Sequence, residues 1–159
     1  MRNAVFAGTF DPITVGHEAV IKKASEAFDK LTVAICINPD KTALYPLDVR
    51  LQALRAVCSD YKNVEVVYFE GMLVDLMRQK GAIYNVRGLR NSKDFEYENT
   101  MHEYNLKLYP ELVTIYLPCS SELNSVSSTL VRKKAELGED LSGLVPKKAL
   151  SVILSKNKG

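Results

Sequence analysis

Short apolar runs rich in β-branched residues alternate with longer amphipathic segments along the whole chain, and this alternation most constrains the fold. The apolar runs lie at residues 4–7, 31–37, 64–69, 83–87 and 112–117. Repeated strand–helix alternation is typical of a parallel sheet with helices on both faces. The chain is therefore predicted to form an α/β fold: a Rossmann-like, doubly wound, five-stranded parallel sheet with strand order 3-2-1-4-5 and C-terminal helices.

The predicted helices are bounded by cap and stop signals. One begins near residues 15–17, and Asp48 is predicted to cap the next one. The others are predicted over residues 71–81, 91–109, 127–137 and 146–156, with Gly81 and Pro110 as stop signals. The sequence shows no linker, repeat or low-complexity tract, so residues 1–159 are predicted to form a single domain.

Composition excludes several kinds of partner. The 159 residues are 47% hydrophobic and 25% charged, which is typical of a globular chain, and the net charge is only +2. A nucleic-acid-binding protein would show a strongly basic face, so no nucleic-acid partner is expected. No apolar run approaches the roughly 20 residues that a membrane span needs, and no leader precedes the first strand, so no membrane partner is expected.

The three cysteines, Cys36, Cys58 and Cys119, are far apart and lack C-x-x-C spacing. They indicate neither a zinc site nor a disulfide framework, and no metal-ligating residues are predicted. Cys36 lies inside an apolar strand and is expected in the core. Unpaired cysteines favour a reducing compartment, so a cytoplasmic location is expected.

The loop after the first strand combines turn residues with reactive side chains. Gly8 permits a tight turn, Thr9 adds a hydroxyl, and the imidazole of His17 lies where the helix begins. A strand, a tight loop and a helix N-terminus together bind phosphate, because free backbone N–H groups and the helix dipole face the anion. Fixed donors of this kind stabilise the charge that develops in phosphoryl transfer. The alternative is an ordinary Rossmann-like loop with an incidental histidine.

Further polar groups follow the other strands at the same edge of the predicted sheet. Lys41 follows strand 2, Arg87 and Arg90 follow strand 4, and Ser127–Thr129 form a hydroxyl-rich helix start after strand 5. Because the strand order reverses between strands 1 and 4, these groups are predicted to open onto one crevice. Each set has an alternative. Lys41 could be an ordinary surface lysine, the two arginines could form structural ion pairs, and the serines could simply cap a helix. His102 lies in mid-helix and is expected to be solvated.

Three strings carry a resemblance to a known family. Residues 8–17 read G-T-F-D-P-x-T-x-G-H, which resembles the T/H-x-G-H signature of the nucleotidyltransferase superfamily. Residues 123–132 resemble its I-S-S-T-x-x-R motif with Val126 in place of Ile, and residues 94–98 resemble D-x-x-Y-E. Over nearly the whole chain the match is to the bacterial phosphopantetheine adenylyltransferases. The resemblance implies a single nucleotidyltransferase domain over residues 1–159, with ATP and 4'-phosphopantetheine as substrates and 3'-dephospho-coenzyme A and pyrophosphate as products.

Two rival functions differ from this one at identifiable positions. Sibling transferases that act on nicotinate mononucleotide or glycerol phosphate typically carry His at the position of Thr14, so Thr14 favours the phosphopantetheine branch. A non-catalytic nucleotide sensor would explain the glycine loop and the hydroxyl-rich helix start. It would not explain His17 and Lys41 at the same crevice.

The resemblance also implies roles for individual residues. The catalytic residues would be His17, Thr9, Lys41 and Arg90. The acceptor phosphopantetheine would contact Thr9, Lys41, Leu73, Arg87 and Asn105. ATP would contact Gly8, Thr9, Phe10, His17, Gly88, Leu89, Arg90, Glu98, Leu123, Asn124, Ser125, Val126, Ser127, Ser128 and Thr129.

The same resemblance implies Mg²⁺ as a cofactor that arrives with ATP, a homohexamer, and a cytoplasmic enzyme. Two positions depart from the family pattern. Leu123 stands where the family often has an aromatic residue, and Lys133 stands where it commonly has Glu. The nucleotide-binding role of that Glu is therefore not transferred to Lys133, and the packing of an aromatic side chain on adenine is not implied for Leu123.

Overall fold

The computed structural model describes residues 1–157 and shows a five-stranded parallel sheet of order β3-β2-β1-β4-β5. The strands are β1 (Asn3–Gly8), β2 (Lys30–Ile37), β3 (Val64–Glu70), β4 (Tyr84–Leu89) and β5 (Val113–Pro118). The helices are α1 (Val15–Ala27), α2 (Leu47–Cys58), α3 (Leu73–Gln79), α4 (Ser92–Leu108), α5 (Ser128–Glu136) and α6 (Lys147–Asn157). This architecture confirms the predicted fold class and strand order. Residues 158 and 159 of the predicted single domain lie outside the described part of the chain.

Strand β1 divides the hydrophobic core into two halves, because its successive side chains point to opposite faces of the sheet. Phe6 joins one cluster with buried residues of α1, α2, α5 and α6, such as Ile21 and Ile153. Val5 and Ala7 join a second, smaller cluster with Met77 of α3 on the other face. Helices therefore cover both faces, as a doubly wound sheet requires.

The ladder between β1 and β4 is the shortest in the sheet. β1 pairs with β2 along its whole length, from Asn3 to Gly8. Its pairing with β4 covers only Ala4 opposite Tyr84 and Val5 opposite Asn85. The two central strands therefore separate toward their carboxyl ends, which is where the strand order reverses and where ligands bind in open α/β sheets.

Two helix starts differ from the sequence prediction. Asp48 does not cap α2: the extended residue Pro46 (ψ 157°) is the cap, and Asp48 lies in the first turn with Oδ1 accepting the N–H of Val49 at 2.9 Å. Helix α3 begins at Leu73 rather than residue 71, since Gly71 has φ +125°, which is outside helical geometry. A short 3₁₀ turn at Ser121–Leu123 was not foreseen.

Gly88 of β4 allows α1 to pack directly on the sheet. An added Cβ there would lie 2.9 Å from Cγ2 of Val20, closer than side-chain carbons approach one another. Val20 is buried on α1, the helix that carries His17. The spacing between α1 and β4 is therefore set by the absence of a side chain at Gly88.

Replacing Gly88 by Ala should destabilise the protein by about 1–3 kcal/mol, the usual cost of forcing a methyl group into a packed site. Urea denaturation of Gly88→Ala measures this loss. Gly16→Ala is the matched control, because a Cβ at Gly16 meets only Thr14 Oγ1 at 3.4 Å. Equal unfolding midpoints for Gly88→Ala and wild type would contradict close packing at this position.

Candidate active site

The start of α1 is a reciprocal cap between Thr14 and His17. The backbone N–H of His17 donates to Thr14 Oγ1 at 3.3 Å, and the backbone N–H of Thr14 donates to His17 Nδ1 at 3.0 Å. This is the geometry of a capping box, with His where Glu or Gln usually stands. The histidine ring is therefore positioned by the helix start itself.

The cap also determines which nitrogen of His17 carries the proton. Because Nδ1 accepts the N–H of Thr14, the neutral ring holds its proton on Nε2, which remains as a donor. Burial, together with the positive charges of Arg87 and Arg90, lowers the pKa of His17 from 6.5 to about 4. At neutral pH the ring is an uncharged N–H donor.

Phe10 packs against the imidazole from inside the protein. Its ring centroid lies 4.9 Å from that of His17 and 5.4 Å from that of Phe6, both in edge-to-face geometry. The residue is 2% exposed and has φ +47°, a conformation that a bulky residue adopts only when its surroundings hold it. Burial of the ring therefore stabilises a strained loop and limits the orientation of His17.

Neighbouring elements hold the backbone of the loop between β1 and α1. Asp11, 4% exposed, accepts the N–H groups of Leu44 and Tyr45, each at 2.9 Å. Arg50 Nη1 donates to the Thr9 carbonyl at 3.1 Å, and Arg132 Nη1 donates to the Asp11 carbonyl at 2.8 Å. The loop is thus fixed by α2, α5 and the segment before α2.

Arg87 forms a bidentate ion pair with Glu98 of α4. Its Nε and Nη2 donate to the two carboxylate oxygens at 2.8 and 2.9 Å, and Nη1 donates to the Ala7 carbonyl at 2.5 Å. The last bond crosses the gap where β1 and β4 have separated. These bonds use three of the five guanidinium N–H groups, and two remain for an anion.

Arg90 is held beside the same crevice by Asp94. Its Nε donates to Asp94 Oδ2 at 3.1 Å, and its Nη1 donates to the Val126 carbonyl at 3.3 Å. Burial alone would raise the pKa of Asp94, but the hydrogen bonds from Arg90 outweigh it, and the carboxyl pKa falls below its usual value. The pair therefore stays ionised and links β4, α4 and the start of α5.

The hydroxyl groups at the start of α5 all make hydrogen bonds within the protein. Ser127 caps the helix by accepting the N–H of Leu130 at 3.1 Å, and Ser128 Oγ donates to the Pro12 carbonyl at 2.8 Å. Thr129 Oγ1 accepts from Arg132 Nη2 at 3.1 Å. The start of α5 is thereby attached to the loop that carries Thr9.

Two cavities open at this edge of the sheet. The first has a volume of about 360 Å³ and lies between the β1–α1 loop, β4 and the start of α5. The second has about 410 Å³ and lies between β1, β4, α3 and α4. Both are lined by Ala7, Gly8, Thr9, Arg87 and Glu98, so the two cavities meet at Thr9 and the Arg87–Glu98 pair.

Most residues predicted for the site line one of these cavities. The first cavity is lined by Gly8, Thr9, Phe10, His17, Arg87, Gly88, Arg90, Glu98, Val126, Ser127, Ser128 and Thr129. The second is lined by Leu73 and Asn105 together with the shared residues. Lys41, Leu89, Leu123, Asn124 and Ser125 are not among the lining residues of either cavity. The individual roles predicted for all these residues stay predictions.

Lys41 lies in the exposed turn that follows β2. Its backbone N–H donates to the Asn38 carbonyl at 3.1 Å, which closes the turn. The structure therefore places this lysine near the sheet edge but does not bring its side chain to the walls of the cavities. The sequence grouped it with Arg87, and the two are not in contact here.

Cys36 packs against the second core cluster, as expected, but it is only partly buried. It also lines the second cavity, because it is near the carboxyl end of β2 where the crevice opens.

The expectation for His102 is wrong, because this residue is partly buried rather than solvated. Its Nδ1 lies 2.7 Å from Thr114 Oγ1 on β5, and the residue lines the same cavity. Helix α4 turns this face toward the sheet.

Sequence reasoning missed the contacts of four residues that hold the site together, namely Thr14, Asp11, Arg50 and Arg132, although all of them except Arg50 stand in the motif strings. Thr14 could have been found, because T-x-x-H has the spacing of a capping box. The others bind backbone carbonyl or N–H groups far away in the sequence, and no local pattern marks such contacts.

The cavity carboxylates are engaged by protein donors. Asp11 binds two backbone N–H groups, Asp94 binds Arg90, and Glu98 binds Arg87. Within residues 1–157 no group of three or more His, Cys, Asp or Glu side chains could hold a metal ion. The side chains at the cavities do not form a protein cage for a metal.

Among the helices of residues 1–157, none is both long enough and apolar enough to cross a membrane.

Comparisons with known proteins agree with this geometry. Residues 5–134 match the cytidylyltransferase-like family. A protein from Vibrio parahaemolyticus, provisionally described as a nicotinate-nucleotide adenylyltransferase, superposes with a TM-score of 0.71 over 99% of this chain and 94% of its own. At 17% identity that likeness shows the fold alone. Fold, site and family match define the class as a nucleotidyltransferase of the cytidylyltransferase-like family.

Sequence identity to relatives of known name identifies the family within this class. Phosphopantetheine adenylyltransferases from Clostridium botulinum (strain Eklund 17B) and Alkaliphilus metalliredigens are 38% and 39% identical over 158 and 157 residues. These alignments cover 99% of this chain in each case, and 99% and 100% of the relatives. A third, from Clostridium novyi, is 38% identical over 156 residues, 98% of this chain and 97% of the relative. The chain belongs to the phosphopantetheine adenylyltransferase family.

The lowered pKa of His17 predicts a pH dependence of stability. Since the folded-state pKa (about 4) is below the unfolded value of 6.5, the unfolded state takes up the proton first as pH falls. The free energy of unfolding should therefore decrease between about pH 6.5 and 4, and this contribution should level off below. Above pH 6.5 the ring is neutral in both states and contributes no pH dependence.

His17→Gln tests this, because Gln preserves the acceptor of the capping box but does not titrate. Urea denaturation at several values between pH 7 and 4 should show a smaller loss of stability for His17→Gln than for the wild type. Identical pH profiles would mean that the pKa of His17 is the same in the folded and the unfolded protein.

Proposed function

We propose that this protein transfers the adenylyl group of ATP to 4'-phosphopantetheine, giving 3'-dephospho-coenzyme A and pyrophosphate. The observation that carries the proposal is the pair of cavities that meet at Thr9 and the Arg87–Glu98 pair. A transferase that joins two anionic substrates needs two binding sites with one common boundary. The names of the relatives supply the identity of the substrates.

ATP is assigned to the first cavity. Its walls combine backbone N–H groups of the β1–α1 loop, the neutral N–H donor of His17, Arg90, and the start of α5. Helix N-termini with nearby cations suit a triphosphate, because donors and positive charge face the same anion. The α-phosphate would lie near His17 and Thr9, at the end of this cavity that adjoins the second one.

The acceptor is assigned to the second cavity. Met72, Leu73 and Met101 give it apolar walls, while Arg87 lies where it joins the first cavity. This distribution suits a molecule with one phosphate end and a long, weakly polar arm. The acceptor phosphate would then lie beside Arg87, facing the α-phosphate of ATP.

In the proposed reaction a phosphate oxygen of the acceptor attacks the α-phosphorus of ATP. A P–O bond forms to the acceptor, and the bond from the α-phosphorus to the oxygen bridging to the β-phosphate breaks, so that pyrophosphate leaves. The second pKa of a phosphate monoester is about 6, so the nucleophile is ionised at pH 7 and needs no general base. The protein's contribution is alignment for direct in-line attack and stabilisation of charge at the α-phosphate.

The neutral state of His17 suits this role. An imidazole whose Nε2–H is fixed by the cap can donate to a non-bridging oxygen without reorganising during the reaction. The adjacent cations Arg87 and Arg90, which lower its pKa, supply the positive charge separately. Donation and charge neutralisation are thus divided among different side chains.

Mg²⁺ is proposed to arrive with ATP. Mg²⁺ is usually held by substrate phosphates, one or two carboxylates and several waters. The carboxylates at these cavities are paired with arginine or backbone N–H groups, so they do not fit a dedicated metal site. No step is therefore assigned to the ion here. A homohexamer and a cytoplasmic location complete the proposal.

The direct test is pyrophosphate release from ATP with three candidate acceptors. 4'-Phosphopantetheine should support release, whereas pantetheine, which lacks the phosphate nucleophile, should not. Nicotinate mononucleotide tests the sibling activity. Release with nicotinate mononucleotide but not with 4'-phosphopantetheine would refute the proposed substrate and retain the reaction type.

His17→Ala should lower kcat by roughly 10²–10³, the effect of losing one preorganised donor to the transition state. The KM for ATP should change little, because the donor acts mainly on charge that develops during transfer. Glu18→Ala is the matched control, since Glu18 is the next residue on α1 and lines neither cavity. Near-normal turnover of His17→Ala would assign His17 to the helix cap alone.

Arg87→Ala should raise the KM for 4'-phosphopantetheine more than the KM for ATP, because the acceptor phosphate is proposed to lie beside Arg87, where the two cavities meet. Arg87→Lys should not restore the wild-type KM for 4'-phosphopantetheine, since a single ammonium group cannot make the two parallel hydrogen bonds of a guanidinium group. Steady-state kinetics with each substrate varied in turn measures both constants.

Lys41→Ala tests whether the exposed lysine reaches the acceptor phosphate when substrate is bound. The family resemblance predicts a selective rise in the acceptor KM, and Lys22→Ala, an exposed lysine on α1, should leave it unchanged. If the two lysine variants have the same KM for 4'-phosphopantetheine, Lys41 does not bind the acceptor.

A further inference from the structure

Asn85 is a buried amide whose oxygen lacks a partner. The residue is 3% exposed, and its Oδ1 makes no hydrogen bond in the described structure. Leaving a buried polar group unsatisfied destabilises a protein, and native structures avoid it. An unsatisfied amide oxygen on β4, an inner strand of the sheet, therefore requires an explanation.

The position of Asn85 supplies one. It lies on β4 and lines the second cavity, as does Arg87 two residues further along the strand. Side chains two residues apart on a strand point to the same face and are separated by about 6.6 Å. Asn85 is thus deeper in the cavity than Arg87, where the arm of an acceptor would pass once its phosphate had bound at Arg87.

Thr114, the register partner of Asn85 on β5, already has a hydrogen-bond partner, because its hydroxyl bonds to His102 Nδ1 at 2.7 Å. On the other side Asn85 is opposite Val5 of β1, which has no side-chain polar atom. Much of the remaining wall is apolar, including Met72 and Leu73. The amide group is therefore placed to bind a guest in the cavity.

We propose that Asn85 hydrogen-bonds an amide group in the arm of the acceptor and so makes the enzyme selective for acceptors that carry one there. This inference rests on the proposed function and deepens it. 4'-Phosphopantetheine has secondary amides along an otherwise weakly polar arm. A side-chain amide matches such a group, because each presents both a donor and an acceptor. Asn85 acts as a specificity-determining residue, remote from the reacting phosphates.

Asn85→Leu is the sharpest variant, since Leu has the same number of side-chain heavy atoms in the same branched arrangement and no hydrogen-bonding atom. The dissociation constant and the KM for 4'-phosphopantetheine should rise roughly 5- to 10-fold, as expected for one lost hydrogen bond. The KM for ATP should be unchanged, and kcat should stay within about twofold because Asn85 does not touch the phosphates. The thermal midpoint without ligand should stay the same or rise, since an unsatisfied amide is removed from an apolar wall.

Asn3→Leu is the matched control. Asn3 also has an unpartnered buried Oδ1, but it lines neither cavity. The Asn3→Leu variant should bind 4'-phosphopantetheine with the same dissociation constant as the wild type. A second comparison uses 3-hydroxy-2,2-dimethylpropyl phosphate, which keeps the phosphate end and lacks the amides; wild type and Asn85→Leu should bind it equally.

Equal dissociation constants for 4'-phosphopantetheine in wild type and Asn85→Leu would overturn the proposal and assign the amide to a bound water. A loss of equal size with the amide-free phosphate would overturn it too, because it would indicate a general distortion of the cavity. If Asn85→Leu does not fold, Asn85→Ala is measured in its place and should show the same selective loss.

The proposed function is judged separately by wild-type pyrophosphate release with 4'-phosphopantetheine. Should release fail, calorimetric binding of 4'-phosphopantetheine still compares wild type with Asn85→Leu and decides the inference on its own. If the wild type shows neither release nor calorimetric binding, both the proposed function and the inference are refuted.

Discussion

The separation of β1 from β4 is the constraint on which the site depends. The two strands pair only at Ala4–Tyr84 and Val5–Asn85 and then diverge. Arg87 spans the resulting gap by donating to the Ala7 carbonyl, a backbone group that the shortened ladder leaves available. The same guanidinium binds Glu98 with two further N–H groups. The Arg87 side chain therefore supplies a hydrogen bond to the Ala7 carbonyl, anchors α4 through Glu98 and forms the boundary between the two cavities.

The charge arrangement at this boundary follows from burial. An isolated arginine between two strands would be costly to desolvate, and Glu98 offsets that cost with a bidentate bond. Glu98 balances part of the positive charge of Arg87, and the two remaining N–H donors of Arg87 stay available to an incoming phosphate. His17, held neutral beside these cations, complements them as a donor that carries no charge.

The fold could be predicted because it depends on periodicity, which is local. Each strand was marked by an apolar run, and the right-handed crossover rule left few strand orders to consider. The general location of the site followed, since the carboxyl ends of the strands and the order reversal fix it. The prediction of a single cap residue failed for α2. Asp48 is a residue type that often caps helices, but the N-cap of α2 is Pro46, where the backbone is still extended.

The contacts within the site could not be predicted, because they join residues remote in sequence through particular side-chain orientations. The Arg132–Asp11 contact spans 121 residues, and the Ser128–Pro12 contact spans 116. The orientation of α4 decides whether His102 is solvated or packed on β5, and its weak amphipathic pattern does not indicate which face is turned inward. Sequence reasoning identified the kinds of group at the crevice but not their partners.

The two cavities differ in a way that bears on how the substrates are distinguished. The first is bordered by donors and cations fixed by backbone caps, which suits a ligand recognised by its phosphates. The second passes from Arg87 into apolar walls interrupted by Asn85, His102 and Asn105. Burial of the apolar parts of a ligand in that cavity strengthens its binding, and each polar group of the ligand that lacks a hydrogen-bond partner weakens it. Selectivity there depends on where the buried polar side chains stand along the arm, which is why a single amide such as Asn85 can discriminate between acceptors that share the same phosphate.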